Sequence, residues 1–168
     1  MYPPQADEFA PYCSAYINTV SDNVMGELEY QATSFPQFLA ELSDETANHS
    51  YAEGKWTIKQ LVGHTIDTER ILAYRLLRIS RNDKTPLPGF DENAYVSFSD
   101  FNERSLKSLA NEFAALRKAN MFLYNSIKED DLHKTGSTNG TTVSIRALLF
   151  IIAGHLNHHR NIITDRYL

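Results

Sequence analysis

The sequence predicts an all-α protein folded as a four-helix bundle, with a long loop between the second and third helices. Four segments carry apolar residues at helical spacing, and polar stretches that contain Gly or Pro separate them. No segment alternates apolar and polar residues in the manner of a half-buried strand. With 168 residues, of which 42% are hydrophobic, the chain can bury one core, so we expect residues 1–168 to form a single domain.

Composition argues against several classes of function. The net charge of -5 opposes a nucleic-acid partner, because binding to phosphates requires a basic surface. The longest apolar run, residues 147–153, is too short to cross a bilayer, and the first residues lack the basic start and apolar core of a signal peptide. The single cysteine, Cys13, permits no internal disulfide. We therefore expect a cytoplasmic protein that acts on a small molecule, without a nucleic-acid or membrane partner.

The first long helix is predicted over residues 23–43, after an N-terminal arm, residues 1–20, that has room for one short helix. Ser21, Asp22 and Asn23 are typical N-cap residues. Apolar residues then recur at helical spacing, namely Val24, Leu28, Ala32, Phe35, Phe38, Leu39 and Leu42. Pro36 falls inside this helix, and we expect it to kink or split the helix because proline lacks a backbone N–H.

The second helix is predicted from the capping box of Thr57 and Gln60 to about Ser80. Trp56, just before it, fits a plug at the end of the bundle better than a surface that binds substrate. Positive charge concentrates at the C-terminal end of the helix, where the helix dipole is negative, on Arg75, Arg78 and Arg81.

The remaining chain is predicted to form one long connection and two more helices. Prolines and a glycine at residues 86–89 exclude a helix there, and residues 90–96 are predicted as loop, with Phe90 and Tyr95 typical of a pocket wall. The third helix is predicted over residues 99–128, capped by Ser97 or Ser99. Residues 136–140 are typical of a turn, and the fourth helix then runs to about residue 166, capped by Thr142 or Ser144.

Three of the six histidines lie within residues 155–159, in the fourth predicted helix. His155 and His159 are four positions apart, so in a helix both imidazoles lie on one side, which here is the apolar face. Such an HxxxH pair can bind one transition-metal ion. His158 is the rival partner of His155, although it falls toward the edge of that face. Leu156 occupies the position of the catalytic glutamate in HExxH metallopeptidases, which argues against peptide hydrolysis.

His64, at the border of the buried face of the second helix, is the candidate third ligand. Four-helix bundles build metal sites from side chains on facing helices. Three histidines leave one position open for water or substrate, as in catalytic zinc sites with Zn–N distances of about 2.0–2.1 Å. Imidazole also suits nickel, iron and cobalt, so we expect a divalent ion, zinc or nickel foremost. The competing interpretation is that His64 is a hydrogen-bonded packing residue.

Five further residues are candidates for contacts with the ligands or the substrate, namely Asp67, Glu69, Tyr95, His158 and Arg160. Glu69 falls on the buried face, where its carboxylate would orient an imidazole N–H or pair with an arginine such as Arg146. Asp67 fits a surface charge better. Arg160 is a candidate to bind an anionic substrate or to pair with a carboxylate.

Five motifs together resemble the DinB superfamily, most closely its YfiT-like branch. They are Gly-Lys-Trp-Thr-Ile at residues 54–58, the segment 61–70 around His64, the arginines of 75–81, Gly-Phe-Asp-Glu at 89–92, and Ala-Gly-His-Leu-Asn-His-His-Arg at 153–160. The resemblance extends from about residue 20 to the C-terminus. It implies a four-helix bundle, a homodimer, and a divalent metal bound by His64, His155 and His159.

The resemblance also implies a reaction, since characterised members of that superfamily are thiol S-transferases that use low-molecular-weight thiols. The first hypothesis is therefore a metal-activated thiolate that attacks an electrophile. The second is metal-dependent hydrolysis, for which Asp67 or Glu69 would have to act as the general base. The third is a non-catalytic stress-response bundle that binds metal without turnover. Conjugation of an electrophile with a thiol, ester turnover without thiol, and metal content distinguish the three.

Overall fold

The computed structural model describes residues 1–168 and contains seven α-helices and one two-stranded sheet. The helices are α1, Ser14–Ile17; α2, Val24–Ala40; α3, Asp44–Ala47; α4, Ile58–Ser80; α5, Glu92–Ser97; α6, Leu106–Asn125; and α7, Ile145–Ile162. Strands β1, Thr135–Thr138, and β2, Thr141–Ser144, pair antiparallel. A π-helical turn, Ile163–Tyr167, follows α7. None of these helices has both the length and the apolar composition needed to cross a bilayer.

Helices α2, α4, α6 and α7 form the predicted bundle. Helix α2 packs against α6 and α7, and α4 packs against the same two helices. The cyclic order is therefore α2, α6, α4, α7, so α2 and α4 lie diagonally across the bundle although no other long helix separates them in the chain. Helices α4 and α7, which carry the candidate ligands, are direct neighbours.

Local capping residues set the starts of the two histidine-bearing helices. The Thr57 hydroxyl accepts a hydrogen bond from the Gln60 backbone N–H at 3.1 Å, and the Gln60 side chain accepts one from the Thr57 N–H at 2.9 Å. This is the predicted capping box, and α4 runs from Ile58 to Ser80 as expected. Ser144 caps α7 by accepting from the Ala147 N–H at 2.9 Å.

The predictions for the first and third helices were partly wrong. Helix α2 continues through Pro36 without dividing and ends at Ala40. The cap of α6 is Ser105, whose hydroxyl accepts from the Ser108 N–H at 3.2 Å, and not Ser97 or Ser99. Ser97 instead ends α5, so most of the segment predicted as loop is a short helix.

A tertiary contact explains the late start of α6. Phe101 is buried, and its ring lies against the backbone of Gly63 in α4, where a β-carbon would approach the ring to 2.3 Å. This contact holds residues 101–103 in a 3₁₀ turn before α6 can begin. Capping preferences alone do not reveal such a contact, because it depends on a residue 38 positions earlier in the chain.

The β-hairpin was not predicted, although its turn carries a recognisable signal. Asn139 and Gly140 both have positive φ, 51° and 75°, which is the Asn-Gly turn that favours two-residue hairpins. The strands are short and rich in threonine, so they lack the apolar alternation used to detect strands. Leu87 exchanges two backbone hydrogen bonds with the hairpin, to Ser137 and from Asn139, each 2.9 Å. The hairpin is thereby joined to the connection between α4 and α5.

A polar layer separates two apolar clusters in the bundle interior. One cluster contains Leu28, Leu72 and Ile152, and the other contains Phe35, Ile66 and Leu156. Each long helix buries polar residues at or near the point where it passes from one cluster to the other, namely Gln31, His64, Thr68, Glu69, Arg117, His155 and His159. The candidate metal ligands therefore lie in a layer with other hydrogen-bonding groups at mid-bundle.

Candidate metal centre

Helices α4 and α7 bring three imidazole rings together. The Nε2 atom of His155 lies 3.1 Å from Nε2 of His64 and 3.0 Å from Nε2 of His159. Each of the three residues is only 7% exposed. Candidate ligand atoms of all three lie within 4.8 Å of one another. His155 is therefore the central residue of the cluster, which we call the histidine triad.

The two short contacts of His155 Nε2 cannot both be full hydrogen bonds. A neutral imidazole nitrogen either carries one N–H or offers one lone pair. If His155 Nε2 donates to one neighbour, it has no lone pair left for the other, and if it accepts from one neighbour, it has no proton for the other. A single cation placed among the three nitrogens would use all three lone pairs at once. The donor set therefore fits a metal ion better than it fits hydrogen bonding.

The spacing of the nitrogens agrees with a tetrahedral metal ion. Two ligand atoms about 2.0–2.1 Å from a tetrahedral ion lie about 3.3 Å apart, since the angle between their bonds is near 109°. The observed separations of 3.1 and 3.0 Å are close to that value. Three nitrogen ligands in this arrangement leave the fourth corner free for a water or a substrate atom.

Burial keeps the triad in the protonation state that binds metals. Burial lowers the pKa of His64 to about 4, with a small opposing effect from Glu92. Burial also holds the pKa values of His155 and His159 well below the ordinary histidine value, and the neighbouring imidazoles lower them further. All three rings are thus neutral at pH 7, and neutral imidazole is the ligating form.

The N-terminal segment reaches the triad because Gly154 lacks a side chain. A β-carbon at Gly154 would lie 2.2 Å from the backbone oxygen of Tyr16, so only glycine allows α1 to pack this closely on α7. The Tyr16 ring then contacts His155 edge-on at 5.4 Å between ring centroids. Residues predicted as part of an arm thus form one wall of the candidate site.

The triad lies at the surface of a cavity of about 450 Å³, which is the size of a small-molecule site. One wall is the N-terminal segment with Tyr12, Cys13 and Tyr16, and another is the face of α4 that carries His64 and Arg75. The other walls are the hairpin, the face of α7 that carries His155 and His159, and the loop residues Gly89, Phe90 and Glu92. Phe90 lies in this wall, in agreement with the expectation for an aromatic loop.

The two acidic candidates from α4 lie outside this cavity. Asp67 pairs with Arg70 at 3.3 Å on the protein surface. Glu69 is buried and pairs with Arg117 at 2.7 Å, and it makes no hydrogen bond to an imidazole. Glu69 therefore pairs with an arginine as expected, but the example named, Arg146, was wrong, since Arg146 pairs with Glu8 of the N-terminal arm.

The other three candidates, His158, Arg160 and Tyr95, do not line the cavity. His158 is partly exposed and contacts Tyr16 at 5.2 Å between ring centroids, and it does not line the cavity that contains the triad. The guanidinium of Arg160 lies 5.1 Å over the Phe38 ring. Tyr95 is exposed and contacts Phe90 from outside the cavity. Trp56 lines the cavity with its ring centroid 4.9 Å from that of His64, so this residue, expected only to plug the end of the bundle, also forms part of the site wall.

Three features of the cavity were not predicted from the sequence. Glu92 lines it, whereas the motif at residues 89–92 predicts no role for this residue. Arg75 lines it as well, whereas its position near a helix C-terminus had suggested only a dipole interaction. Tyr12 and Cys13 carried no sequence signal at all, because nothing local indicates that the N-terminal arm folds back onto α7.

The lowered pKa values predict how the stability of the metal-free protein depends on pH. The unfolded chain binds protons to these histidines below about pH 6.5 while the folded state does not, so stability falls as the pH decreases from 6.5 toward 4. Each buried histidine contributes up to about 1.4 kcal/mol per pH unit in that range. Urea unfolding in EDTA between pH 7.5 and 5.5 should show this loss, and His64→Gln should reduce the slope. A slope unchanged by that substitution would contradict the assignment.

One family model and several sequences of known proteins match this chain. A model of the DinB superfamily matches residues 27–163. Two proteins from Oceanobacillus iheyensis, each provisionally named a metal-dependent hydrolase, are 27% and 26% identical over 79% and 88% of this chain and 77% and 86% of their own lengths. A protein from Bacillus mycoides with the same provisional name is 24% identical over 89% of both chains.

Two solved structures share the fold. YfiT from Bacillus subtilis, described as a four-helix bundle of unusual topology and provisionally as a metal-dependent hydrolase, superposes with a TM-score of 0.68 at 18% identity, over 98% of this chain and 90% of YfiT. The mycothiol-dependent maleylpyruvate isomerase gives a TM-score of 0.67 at 14% identity, over 86% of this chain and 61% of that protein. These two matches show the shared fold, and the histidine triad itself fits a divalent metal ion.

Proposed function

Because this chain belongs to the DinB superfamily, we propose that it is a divalent-metal-dependent enzyme that transfers a low-molecular-weight thiol to a small electrophile. The observation that carries this proposal is the convergence of three buried, neutral imidazoles on a cavity that admits a small molecule. His64, His155 and His159 would hold the ion, with zinc or nickel as the leading candidates. A divalent ion bound there lowers the pKa of a thiol and so supplies a thiolate at neutral pH.

The surroundings of the triad favour a thiol over water as the nucleophile. Hydrolysis requires a general base to direct a water molecule. Asp67 and Glu69 are paired elsewhere, which leaves Glu92 as the one carboxylate on the cavity wall. A thiol activated by the metal requires no such base. The walls near the triad include Trp56, Tyr16 and Ile151, and these side chains provide apolar surface for the body of the electrophile. The fold shared with a mycothiol-dependent isomerase also supports this reaction class.

Metal-dependent hydrolysis is the second candidate, because one observation favours it. Glu92 lines the cavity, and its charge acts on His64 and on the hydroxyl of Tyr16, so a carboxylate does face the site from α5. It would serve as the general base if water were the nucleophile. The provisional names of the relatives point to the same reaction class.

Rates with and without thiol distinguish these functions. We expect zinc- or nickel-loaded protein to conjugate monochlorobimane with bacillithiol, mycothiol or glutathione at least about ten-fold faster than the uncatalysed reaction, since positioning and thiolate formation both contribute. His155→Ala should abolish the enhancement, and Glu92→Gln should retain it. Turnover of p-nitrophenyl esters without thiol, lost in Glu92→Gln, would support hydrolysis instead. Bound metal with neither activity would support the non-catalytic metal-binding bundle.

A further inference from the structure

Arg75 lies in the cavity on the same face of α4 as His64. The residues of α4 that line the cavity are His64, Thr68, Leu72 and Arg75, at helical spacings of four, four and three. At a rise of about 1.5 Å per residue, the α-carbons of His64 and Arg75 are about 16 Å apart along the helix. His64 and Arg75 thus line the cavity three turns apart on one helix face, and the Arg75 guanidinium contacts the Pro88 backbone oxygen.

The charge of Arg75 is not neutralised by a carboxylate. Its Nη2 donates to the backbone oxygen of Pro88 at 2.8 Å, and no acidic side chain forms an ion pair with it. Five other arginines do have carboxylate partners, namely Arg70, Arg78, Arg104, Arg117 and Arg146. Arg75 is half-buried, and this burial lowers its pKa without making the guanidinium neutral at pH 7. It retains N–H donors for a ligand in the cavity.

The neighbours of Arg75 do not substitute for an anion. Tyr12 and Cys13 lie near it, and burial raises the pKa of both groups, so both are neutral at pH 7. Glu92, the acidic residue of the cavity wall, acts on His64, Tyr16 and Tyr12 but forms no ion pair with Arg75. The cavity therefore holds, besides the triad, one carboxylate and one guanidinium that no ion pair neutralises.

We propose that Arg75 binds an anionic group, most simply a carboxylate, at the far end of the molecule whose other end reaches the histidine triad. The inference rests on the proposed function in that it identifies this molecule with the thiol cosubstrate. The ligand is then elongated, with the thiol and the anionic group separated by several bonds, and a 450 Å³ cavity accommodates a molecule of that size. Neutral polar groups on the hairpin, Thr138, Asn139 and Thr141, also line the cavity.

Binding of matched thiols to cobalt-substituted protein tests this directly. Thiolate coordination to cobalt gives an absorption band that reports binding without any turnover. The probes are 3-mercaptopropionate, 6-mercaptohexanoate and 8-mercaptooctanoate, each compared with the alcohol of equal length. We expect the two longer acids to bind roughly 10- to 100-fold more tightly than their alcohols, because a charge-assisted hydrogen bond contributes that much, and the shortest acid to show no preference.

Substitutions at the C-terminal end of α4 test whether Arg75 causes the preference for acids. Arg75→Met should remove the acid preference, Arg75→Lys should retain part of it, and Arg81→Met should leave it intact, since exposed Arg81 lies on the same helix end outside the cavity. Equal binding of acids and alcohols to the native protein, or a preference that survives Arg75→Met, would overturn the proposal.

A second probe separates this inference from thiol chemistry. Suberic acid monohydroxamate and octanohydroxamic acid differ only in a terminal carboxylate, and both bind metals through the hydroxamate. If no thiol gives a cobalt–thiolate band, the thiol function fails, and the hydroxamate pair alone decides the role of Arg75. An Arg75-dependent preference for the carboxylate form would support anion binding, and its absence would refute it.

Discussion

Replacing His155 by alanine is expected to lower the affinity for zinc or nickel by more than about 100-fold. Its Nε2 is the central atom of the triad, within 3.1 Å of both other nitrogens, so its removal leaves two ligands on different helices. Loss of even an outer-shell partner weakens metal sites by about 10- to 100-fold, and loss of a direct ligand should exceed that. Competition with a chromogenic chelator measures the affinity, and circular dichroism establishes that the variant folds.

His158→Ala is the matched control for this prediction. His158 follows His155 by three positions on α7 and was its rival partner in the sequence, but its ring lies at the partly exposed edge against Tyr16. We expect its substitution to change metal affinity by no more than a few-fold. If His158→Ala and His155→Ala weakened binding equally, the assignment of His155 as the central ligand would be wrong.

Arg117→Met is expected to destabilise the protein by about 3–5 kcal/mol, because it leaves the Glu69 carboxylate buried without its cation. The two side chains are 1% and 3% exposed and form a 2.7 Å ion pair in the polar layer. Arg117 also donates to the backbone oxygen of Leu28 at 3.1 Å and to the Gln31 side chain at 2.6 Å. Urea unfolding measures the loss. Metal affinity of the folded variant should stay unchanged, because neither residue touches the triad.

A double substitution separates charge burial from packing. Glu69→Leu combined with Arg117→Met removes both charges, and we expect it to restore much of the stability lost in Arg117→Met alone, since apolar replacement of a buried ion pair is often neutral. If the double variant were less stable by the sum of the two single losses, the two charges would not be coupled, and the account of this layer would be wrong.

The histidine triad was predictable because its determinants are local. His155 and His159 lie one turn apart on an apolar stripe, and His64 borders the buried face of a helix whose start is set by the Thr57 capping box. Spacing within a helix fixes which side chains share a face. In the predicted bundle, the histidines converge if the helices that carry them are neighbours with these two faces turned toward each other. The sequence therefore indicated both the fold and the three residues that converge.

The rest of the site depends on contacts between distant parts of the chain. Glu69 pairs with Arg117 rather than Arg146 because α4 packs against α6 in the polar layer, and Arg146 is already engaged by Glu8. The fit of Gly154 against the Tyr16 backbone brings the N-terminal segment into the cavity. No local pattern specifies these partners, so neither the cavity walls nor the position of Arg75 could be derived from spacing.

X-ray absorption spectroscopy of the metal-loaded protein tests the central claim, that one ion is bound by His64, His155 and His159. We predict one equivalent of metal with three imidazole nitrogens at about 2.0–2.1 Å for zinc, and two imidazoles in His64→Ala. A zinc–sulfur distance of about 2.3 Å in the native protein without added thiol would place Cys13 in the coordination shell and contradict an open three-histidine centre. An imidazole count unchanged in His64→Ala would contradict it equally.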